Sequence, residues 1–402
     1  MGDSYIYKNQ KKLRWGYTTG TCAAAASLAA AVMLLGRNRT GQVWVDTPKG
    51  IRLDLEVEDI SMGRRAVSCG VRKDAGDDPD VTDGLVVYSR VSFGGEEDGA
   101  AAAENHTGRY YEYKNNEICL RLTGGVGVGL VTKEGLSCEV GKAAINPVPR
   151  QMIFRQVEDI CARYRYRGML WIEISVPGAL EVSGRTFNSK LGIVGGISIL
   201  GTSGMVEPMS ETALLETIRL ELRQNVLAGH CRLVVTPGNY GEAFLRDHLQ
   251  IGLGQAVKCS NFIGNTIDMA VEEGAKGILL VGHGGKLIKL AAGIMNTHSS
   301  VADGRMEVLA AYGAACGAES YLVSRLLEAI TVDEGLRLLE TREGLRNRVM
   351  DLVMERIDEH LKRRAAGRLE IEAVVFTNER GILGATGGAA GLLERIADNP
   401  RL

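Results

Sequence analysis

The second half of the sequence repeats one order of elements: a short apolar run, a loop rich in glycine, serine or asparagine, and then a helical pattern. The apolar runs end at the loops GTSG, PGNYG, SNFIG, GHGGK and TNERG. Strands that alternate with helical crossovers of about 10–15 residues predict a parallel sheet with helices on both faces. We therefore predict that residues 191–402 form an α/β domain with a mostly parallel sheet and glycine-rich loops at the strand ends.

These loops are the expected ligand-binding region of the second domain. In sheets of this kind, ligands bind outside the carboxyl ends of the strands. We therefore expect one crevice to be lined by Gly201, Gly238, Ser260 and Gly282. The loop 201–204 also lies between an apolar run and a helix, and a helix N-terminus attracts anions. A purely structural turn explains this local pattern equally well.

The first half, residues 1–190, predicts an α+β domain of hairpins and a few helices. Strand-like runs flank the TPKG turn, and the segment TCAAAASLAAAVMLLG favours an alanine-rich helix. Thr18, Thr19 and Thr21 lie at the start of this helix, where hydroxyl and backbone N–H groups could bind an anion. Helix capping alone accounts for the same threonines.

Composition indicates a globular protein and excludes several classes. Of 402 residues, 45% are hydrophobic and 24% are charged, and the net charge of −2 argues against a surface for nucleic acid or anionic membranes. The eight cysteines contain no CxxC pair, which favours reduced thiols. The N-terminus lacks the apolar segment of a signal peptide, and no membrane span is expected. We expect a cytoplasmic protein.

Three motifs leave their chemistry open. The segment KDAGDDPDVTDG carries five aspartates at 74–83, which could hold a metal ion or simply form turns. The segment TGGVGVGLVTKEGL is similar to a phosphate loop but matches no strict motif. His283 and His298 lie in or near glycine loops without the partners of a hydrolase. Together with Lys258, Lys286 and Lys289, the second-domain loops indicate a negatively charged ligand without naming a reaction.

Eight segments together resemble the CbiD family, the cobalt-precorrin-5B C1-methyltransferases of anaerobic cobalamin biosynthesis. They are GYTTGTCAAAA, KDAGDDPDVTDG, TGGVGVGLVTKEGL, INPVPR, TFNSKLGIVGGISILGTSGMVEPMS, GNYG, KCSNFIG and GHGGKLIKLAAGIMNTHS. They occur in order from about residue 13 to 300, with weaker likeness beyond. Trp15 and the segment 179–184 depart from the family pattern. The segment 94–116 looks like an insertion found in some lineages of the family, and we expect it to form an exposed hairpin tip.

The resemblance implies transfer of a methyl group from S-adenosylmethionine to carbon 1 of an anionic cobalt-tetrapyrrole, which gives cobalt-precorrin-6A. It implies no protein-bound metal. The partners that it suggests are neighbouring enzymes of the cobalamin pathway, and a homodimer stays open. The candidate residues for the donor are Gly201, Thr202, Ser203, Gly204, Glu207, Gly238, Asn239, Ser260, Asn261, Gly282, His283, Gly284 and Gly285. The candidates for substrate carboxylates are Arg14, Thr18, Thr19, Thr21, Lys133, Arg150, Arg185, Lys190, Lys258 and Lys286.

Two hypotheses from other classes remain beside the methyltransferase. A phosphotransferase would use TGGVGVG for a nucleoside triphosphate and the aspartates at 77–83 for magnesium. A non-catalytic carrier would bind the corrinoid without binding S-adenosylmethionine. For the methyltransferase we expect Gly204→Val to abolish donor binding without unfolding the protein.

Overall fold

The computed structural model describes residues 5–8, 10–94, 109–186, 188–189, 191–248 and 256–398. The chain divides into two compact units, Met1–Ser210 and Glu211–Leu402. The boundary therefore lies after residue 210 and not after 190 as predicted. Most of the segment 94–116 lies outside the described residues, and only its end is assigned to a strand, Tyr111–Lys114.

The first unit is built on a six-stranded sheet in the order β6-β7-β8-β13-β10-β9. Only the β10–β13 pairing is parallel among the five that join these strands. The strands of the unit are β1 (Tyr5–Lys8), β2 (Lys11–Arg14), β3 (Gly16–Tyr17), β4 (Gln42–Asp46), β5 (Arg52–Glu56), β6 (Glu58–Met62), β7 (Ala66–Arg72), β8 (Val86–Phe93), β9 (Tyr111–Lys114), β10 (Ile118–Gly124), β11 (Gly127–Val128), β12 (Leu130–Val131), β13 (Gly168–Ser175), β14 (Ile193–Val194), β15 (Gly196–Ile197) and β16 (Met205–Val206). Its helices are α1 (Thr19–Gly36), α2 (Pro147–Arg163) and α3 (Ala179–Val182), followed by a 3₁₀ turn at Ser183–Arg185.

The alanine-rich helix α1 is the central helix of this unit. The Thr18 hydroxyl caps it by accepting from the backbone N–H of Thr21, and Arg37 ends it in the left-handed conformation. Its small side chains allow close packing against α2, β7 and β8. Within the described residues it is the one helix long and apolar enough to cross a membrane, with a mean hydropathy of 1.6, but 83% of it is buried. It therefore serves as a core helix.

The sequence predicts one buried strand at residues 191–200, but the segment 191–210 contains only short strands. It forms three two-residue strands that pair with earlier parts of the first unit: β14 with β12, β15 with β11, and β16 with β3. These long-range pairings hold the segment in the first unit. The predicted start of the second domain at residue 191 is therefore wrong.

The second unit contains a five-stranded sheet in the order β18-β17-β19-β20-β21. This sheet is mixed, because three pairings are parallel and the β20–β21 pairing is antiparallel. The strands are β17 (Arg232–Thr236), β18 (Ala256–Lys258), β19 (Gly277–His283), β20 (Glu370–Thr377) and β21 (Gly381–Ala385). The helices are α4 (Glu211–Leu227), α5 (Asn239–His248), α6 (Ile263–Glu272), α7 (Gly284–Leu287), α8 (Arg305–Ala315), α9 (Ser320–Glu328), α10 (Val332–Glu340), α11 (Leu345–Ala365) and α12 (Ala389–Ala397), with a 3₁₀ helix at Ile288–Ala292.

Both faces of this sheet are covered. Alternate residues of β19 enter different cores: Ile278 and Leu280 pack with the larger helical layer, and Leu279 and Val281 pack with α5 and α12. The period of two in a strand produces this division. Burial on both faces explains why the central strands have continuous apolar sequences. The chain is thus a mixed α/β protein, and the sheet predicted to be mostly parallel is a mixed one with an antiparallel edge strand.

Candidate functional site

The carboxyl ends of β17, β18 and β19 bring three predicted loops together. We call this group the strand-end site, and it consists of residues 237–240, Lys258 and residues 283–286. Lys258 Nζ donates to Asn239 Oδ1 at 2.7 Å, and Lys286 Nζ donates to the Pro237 carbonyl oxygen at 2.7 Å. Two lysines that the sequence predicts to bind substrate carboxylates therefore contact the loop that it predicts to bind the methyl donor.

His283 is held in one orientation at this site. Its Nδ1 accepts from the backbone N–H of Gly285 at 3.1 Å, and its ring contacts Phe376 edge-on at 5.8 Å between centroids. Burial lowers the pKa of His283, and this effect outweighs the opposing charge of Asp333. In a neutral imidazole whose Nδ1 accepts, the proton lies on Nε2. His283 therefore offers an Nε2–H donor.

His283 contributes a pH dependence to the stability of the second unit. Because its pKa is lowered in the folded state, its contribution to stability is present above the unfolded value of about 6.5 and is lost as the pH falls toward the folded pKa. The free energy of unfolding of the wild type should fall as the pH is lowered from about 7.5 through about 6.5 toward the folded pKa. His283→Asn keeps a capping acceptor without titrating, so the fall should be smaller. Urea titrations followed by far-UV circular dichroism measure both, and equal falls would contradict the assignment.

Lys286 is a half-buried cation of the strand-end site. Burial lowers its pKa, and the other groups that act on it are Cys259 and Lys289. The Cys259 thiol is buried, which raises its pKa to about 12 and keeps it neutral. Within the described part of the chain, no carboxylate is among the groups that shift the pKa of Lys286. An anionic ligand would therefore gain from this ammonium group.

The remaining polar candidates of this unit have identifiable structural tasks. The carbonyl oxygen of Asn261 accepts from the Thr297 N–H at 3.0 Å, and the buried Lys289 donates to the carbonyl oxygens of Thr297 and Ala302. Ser260 adopts the left-handed conformation with φ 53°. His298 is exposed and its Nδ1 lies 2.6 Å from the Ser300 hydroxyl. These residues shape the loops that surround the strand-end site.

The glycines of the GHGGK loop divide between packing and capping. A Cβ on Gly282 would lie 2.9 Å from Leu287 Cγ, and one on Gly284 would lie in contact with Thr377 and Leu383. A Cβ on Gly238 would meet only Lys286 Nζ, at 3.8 Å. Gly238 therefore leaves the backbone accessible beside the lysine, whereas Gly282 and Gly284 allow α7 to pack on the sheet.

The loop 201–204 does not follow a strand of the five-stranded sheet. It belongs to the first unit, where its carbonyl groups accept at the start of α1: Gly204 O from Thr18 N at 3.1 Å and from Thr21 Oγ1 at 2.7 Å. The Thr19 hydroxyl in turn accepts from Leu200 N at 3.0 Å. The prediction that Gly201 follows a strand of the same sheet as Gly238, Ser260 and Gly282 is therefore wrong.

The threonines at the start of α1 pack against the 201–204 loop and form hydrogen bonds with it. They are therefore not an open anion-binding site. Thr18, Thr19 and Thr21 are at most 4% exposed. A Cβ on Gly201 would lie 2.2 Å from Thr18 Oγ1, and one on Gly204 would lie 2.8 Å from Thr47 Cβ. Gly204→Val would disturb this packing, so it cannot test donor binding in an intact fold. In the same loop Thr202 is exposed, Ser203 Oγ donates to Met205 O, and Glu207 is half-buried.

The cationic candidates of the first unit lie on separate elements. Arg14 makes two hydrogen bonds to Asp74, at 2.6 and 2.8 Å. The Arg150 guanidinium lies 4.0 Å from the centroid of the Tyr111 ring. Lys133 and Arg185 are exposed, and Lys190 lies outside the described residues. Their role toward substrate carboxylates stays a prediction.

The aspartates at 74–83 are occupied by donors of the protein itself. Asp77 accepts from Arg14 N, Asp78 from Met209 N, and Asp83 from Ala75 N. Asp80 binds the buried Lys73 and the Thr82 hydroxyl. Among the residues that the structure covers, no group of three His, Cys, Asp or Glu side chains could hold a metal ion. The turn interpretation of this segment is the one that the contacts support.

The TGGVGVG segment, residues 123–129, contains strand β11 and leads directly into β12 rather than into a helix. A phosphate loop needs a following helix N-terminus. Gly127 instead contacts the backbone of Val176, since a Cβ there would lie 1.9 Å from Val176 O. The geometry therefore disagrees with the phosphotransferase hypothesis.

Comparisons with known proteins agree with the segments quoted above. The CbiD sequence family matches residues 6–208, and the CbiD C-terminal domain matches residues 296–387. A "Cobalt-precorrin-5B C(1)-methyltransferase" of Ruminiclostridium cellulolyticum is 47% identical over 94% of this chain and 92% of its own length. One of Alkaliphilus metalliredigens is 45% identical over 98% of this chain and 97% of its own length. The chain belongs to the CbiD family.

The resemblance predicted from the sequence is thus confirmed. A crystal structure described as cobalamin biosynthesis protein (cbiD) from Archaeoglobus fulgidus is 25% identical, covers 75% of this chain and 87% of its own, and has a TM-score of 0.38. The first family match ends close to the boundary between the two units. In this member of the CbiD family, the strand-end site lies between the two family matches, in a region that the full-length relatives share.

Proposed function

We propose that this chain transfers a methyl group from S-adenosylmethionine to carbon 1 of cobalt-precorrin-5B and so forms cobalt-precorrin-6A. The observation that carries the proposal is the 47% identity, over nearly the full length of both chains, to a relative that is named for this reaction. We place the reaction in the cytoplasm, where neighbouring enzymes would supply and remove the tetrapyrrole.

The chemistry makes modest demands on the protein. An electron pair of the ring carbon forms the new bond to the methyl carbon, the carbon–sulfur bond breaks, and its electrons return to the sulfur of S-adenosylhomocysteine. The donor supplies an activated methyl group on a sulfonium sulfur. The protein must align the two reactants and exclude water, and alignment alone can contribute about 7–11 kcal/mol. The absence of a hydrolase constellation from the quoted motifs is consistent with this mechanism.

We place the donor at the strand-end site of the second unit. The backbone near Gly238 is accessible, Asn239 carries an amide group that suits a ribose hydroxyl, and His283 offers an N–H donor. Asn261, in the surrounding loop after β18, carries a second amide group of this kind. Gly282, Gly284, Gly285 and Ser260 shape the loops. Lys258 and Lys286 supply positive charge for carboxylates, and ammonium groups bind carboxylates as point charges.

The substrate is the second ligand to be placed. Cobalt-precorrin-5B carries acetate and propionate carboxylates, and we propose that exposed cations of the first unit, Lys133 and Arg185, bind some of them. Arg14 is a weaker candidate because its guanidinium already binds Asp74 in two places. Arg150 lies half-buried against Tyr111 and could turn its remaining N–H groups to a carboxylate.

The test is an anaerobic incubation with cobalt-precorrin-5B and S-adenosylmethionine labelled in its methyl group. Mass spectrometry should show one labelled methyl group gained by the tetrapyrrole, and fragmentation or NMR should place it at carbon 1. Boiled protein and unlabelled donor serve as controls. Tight binding of the tetrapyrrole without any transfer would contradict the proposal and favour a corrinoid carrier.

A further inference from the structure

Tyr240 is an exposed aromatic residue at the strand-end site. It follows Asn239 at the start of α5 and is 65% exposed. Its ring lies 5.8 Å from the His283 ring, with an angle of 42° between the two planes. Singly exposed rings are common on protein surfaces, so what distinguishes Tyr240 is its position beside the His283 ring and directly after the PGN segment of the strand-end site.

The groups around Tyr240 define what such a ligand must carry. His283 is fixed by the Phe376 ring and by the Gly285 N–H, so the His283 ring is a rigid neighbour of Tyr240. Lys286 Nζ donates a hydrogen bond to the carbonyl oxygen of Pro237, which lies three residues before Tyr240. The site therefore offers a flat aromatic surface, a neutral N–H donor and an ammonium group within one loop cluster. These match a planar heteroaromatic ring joined to a carboxylate.

We propose that Tyr240 stacks on the purine ring of the methyl donor and that Lys286 binds the carboxylate of its amino-acid end. This inference rests on the proposed function, since it identifies how one site would recognise an adenosine-containing donor. Stacking of a base on an aromatic side chain strengthens binding by about tenfold or more. The Lys286 ammonium would gain a negative partner in a half-buried position beside the Pro237 carbonyl. The two contacts act on different parts of one ligand and can be separated.

Two probes separate them: S-adenosylhomocysteine, which has the carboxylate, and 5′-methylthioadenosine, which lacks it. Titration calorimetry with the full-length protein gives the affinity of each. Tyr240→Ala should weaken both probes by about tenfold or more, because both contain the purine. Tyr240→Phe should bind like the wild type. Lys286→Met should weaken S-adenosylhomocysteine by about tenfold and leave 5′-methylthioadenosine unchanged.

Tyr321→Ala is the matched control, because Tyr321 is 71% exposed and lies on α9 of the same unit. It should bind both probes like the wild type, and thermal unfolding should show that all variants are folded. Unchanged affinities in Tyr240→Ala, an equal loss of both probes in Lys286→Met, or no binding of either probe to the wild type would each overturn the inference. The labelled-methyl assay decides the proposed function separately, so failure of one does not imply failure of the other.

Discussion

Gly127→Ala should lower the free energy of unfolding of the first unit by about 4 kcal/mol. Gly127 has φ 78°, where an L-residue costs about 1–2 kcal/mol. Its new Cβ would also lie 1.9 Å from Val176 O and 2.6 Å from Val176 C, and overpacking against an ordered neighbour costs about 1–3 kcal/mol more. A backbone carbonyl cannot rotate away as a long side chain can. The expected loss is a large fraction of the stability of a domain of this size.

Tryptophan fluorescence in a urea titration measures this loss selectively. The three tryptophans, Trp15, Trp44 and Trp171, all lie in the first unit. Gly195→Ala is the matched control, because Gly195 has φ 80° and a Cβ added there would meet no described atom within 4 Å. Gly195→Ala should lower the free energy of unfolding only by the cost of a positive φ in an L-residue, about 1–2 kcal/mol. Equal losses in the two variants would show that close packing at Gly127 is unimportant.

The TGGVGVG segment of the first unit shows why a glycine-rich sequence alone does not identify a phosphate-binding loop. A glycine that lets a phosphate approach and a glycine that lets another backbone approach have the same sequence pattern. Here Gly127 and Gly196 face each other on β11 and β15, and a Cβ on Gly196 would lie 2.2 Å from Gly127 O. The glycines of this motif therefore allow two segments of the chain to lie close together. The local sequence does not indicate whether a ligand or another chain segment approaches the glycines.

The fold was predictable where strands are long and buried. Runs such as 232–236 and 277–281 carry apolar residues on both faces, and the strands β17 and β19 lie there. The prediction for the segment 191–200 failed because its strands have two residues each and are set by pairings with residues 127–131. The strand β21 was missed because TNERG turns into an antiparallel hairpin before the last helix. Long-range pairing decides both cases.

The sequence predicted which loops form the strand-end site, but it did not predict all of the residues that matter there. The rule that ligand sites lie at the carboxyl ends of parallel strands grouped the loops after β17, β18 and β19, and these loops do contact one another in the structure. The loop PGNYG is evident in the sequence, but nothing there singles out Tyr240, whose exposure is a property of the folded loop. Asp333, which acts on the pKa of His283, lies 50 residues further along the chain on α10, and no local spacing links the two.

Asp80→Ala should destabilise the first unit by about 3 kcal/mol. Lys73 is 3% exposed, and its ammonium is bound by Asp80 and by the Thr82 hydroxyl at 2.7 Å. Removing one partner of a buried pair costs about 3–5 kcal/mol, and the 28% exposure of the Asp80 side chain favours the lower end. The measurement is again a urea titration followed by tryptophan fluorescence. A magnesium-site role for the aspartates would instead predict little loss of stability without metal.

The same pair gives a pH dependence with a definite sign. Burial alone would raise the pKa of Asp80, but the Lys73 charge and the hydrogen bonds from Lys73 and Thr82 hold it below its ordinary value. The contribution of Asp80 is therefore present above the unfolded pKa of about 3.9 and is lost as the pH falls through the folded pKa. Asp46→Ala is the matched control, since Asp46 and Arg52 form an exposed pair whose loss should change the stability little. If both variants lost the same stability at neutral pH, Lys73 would not depend on Asp80, and the aspartate segment would need another explanation.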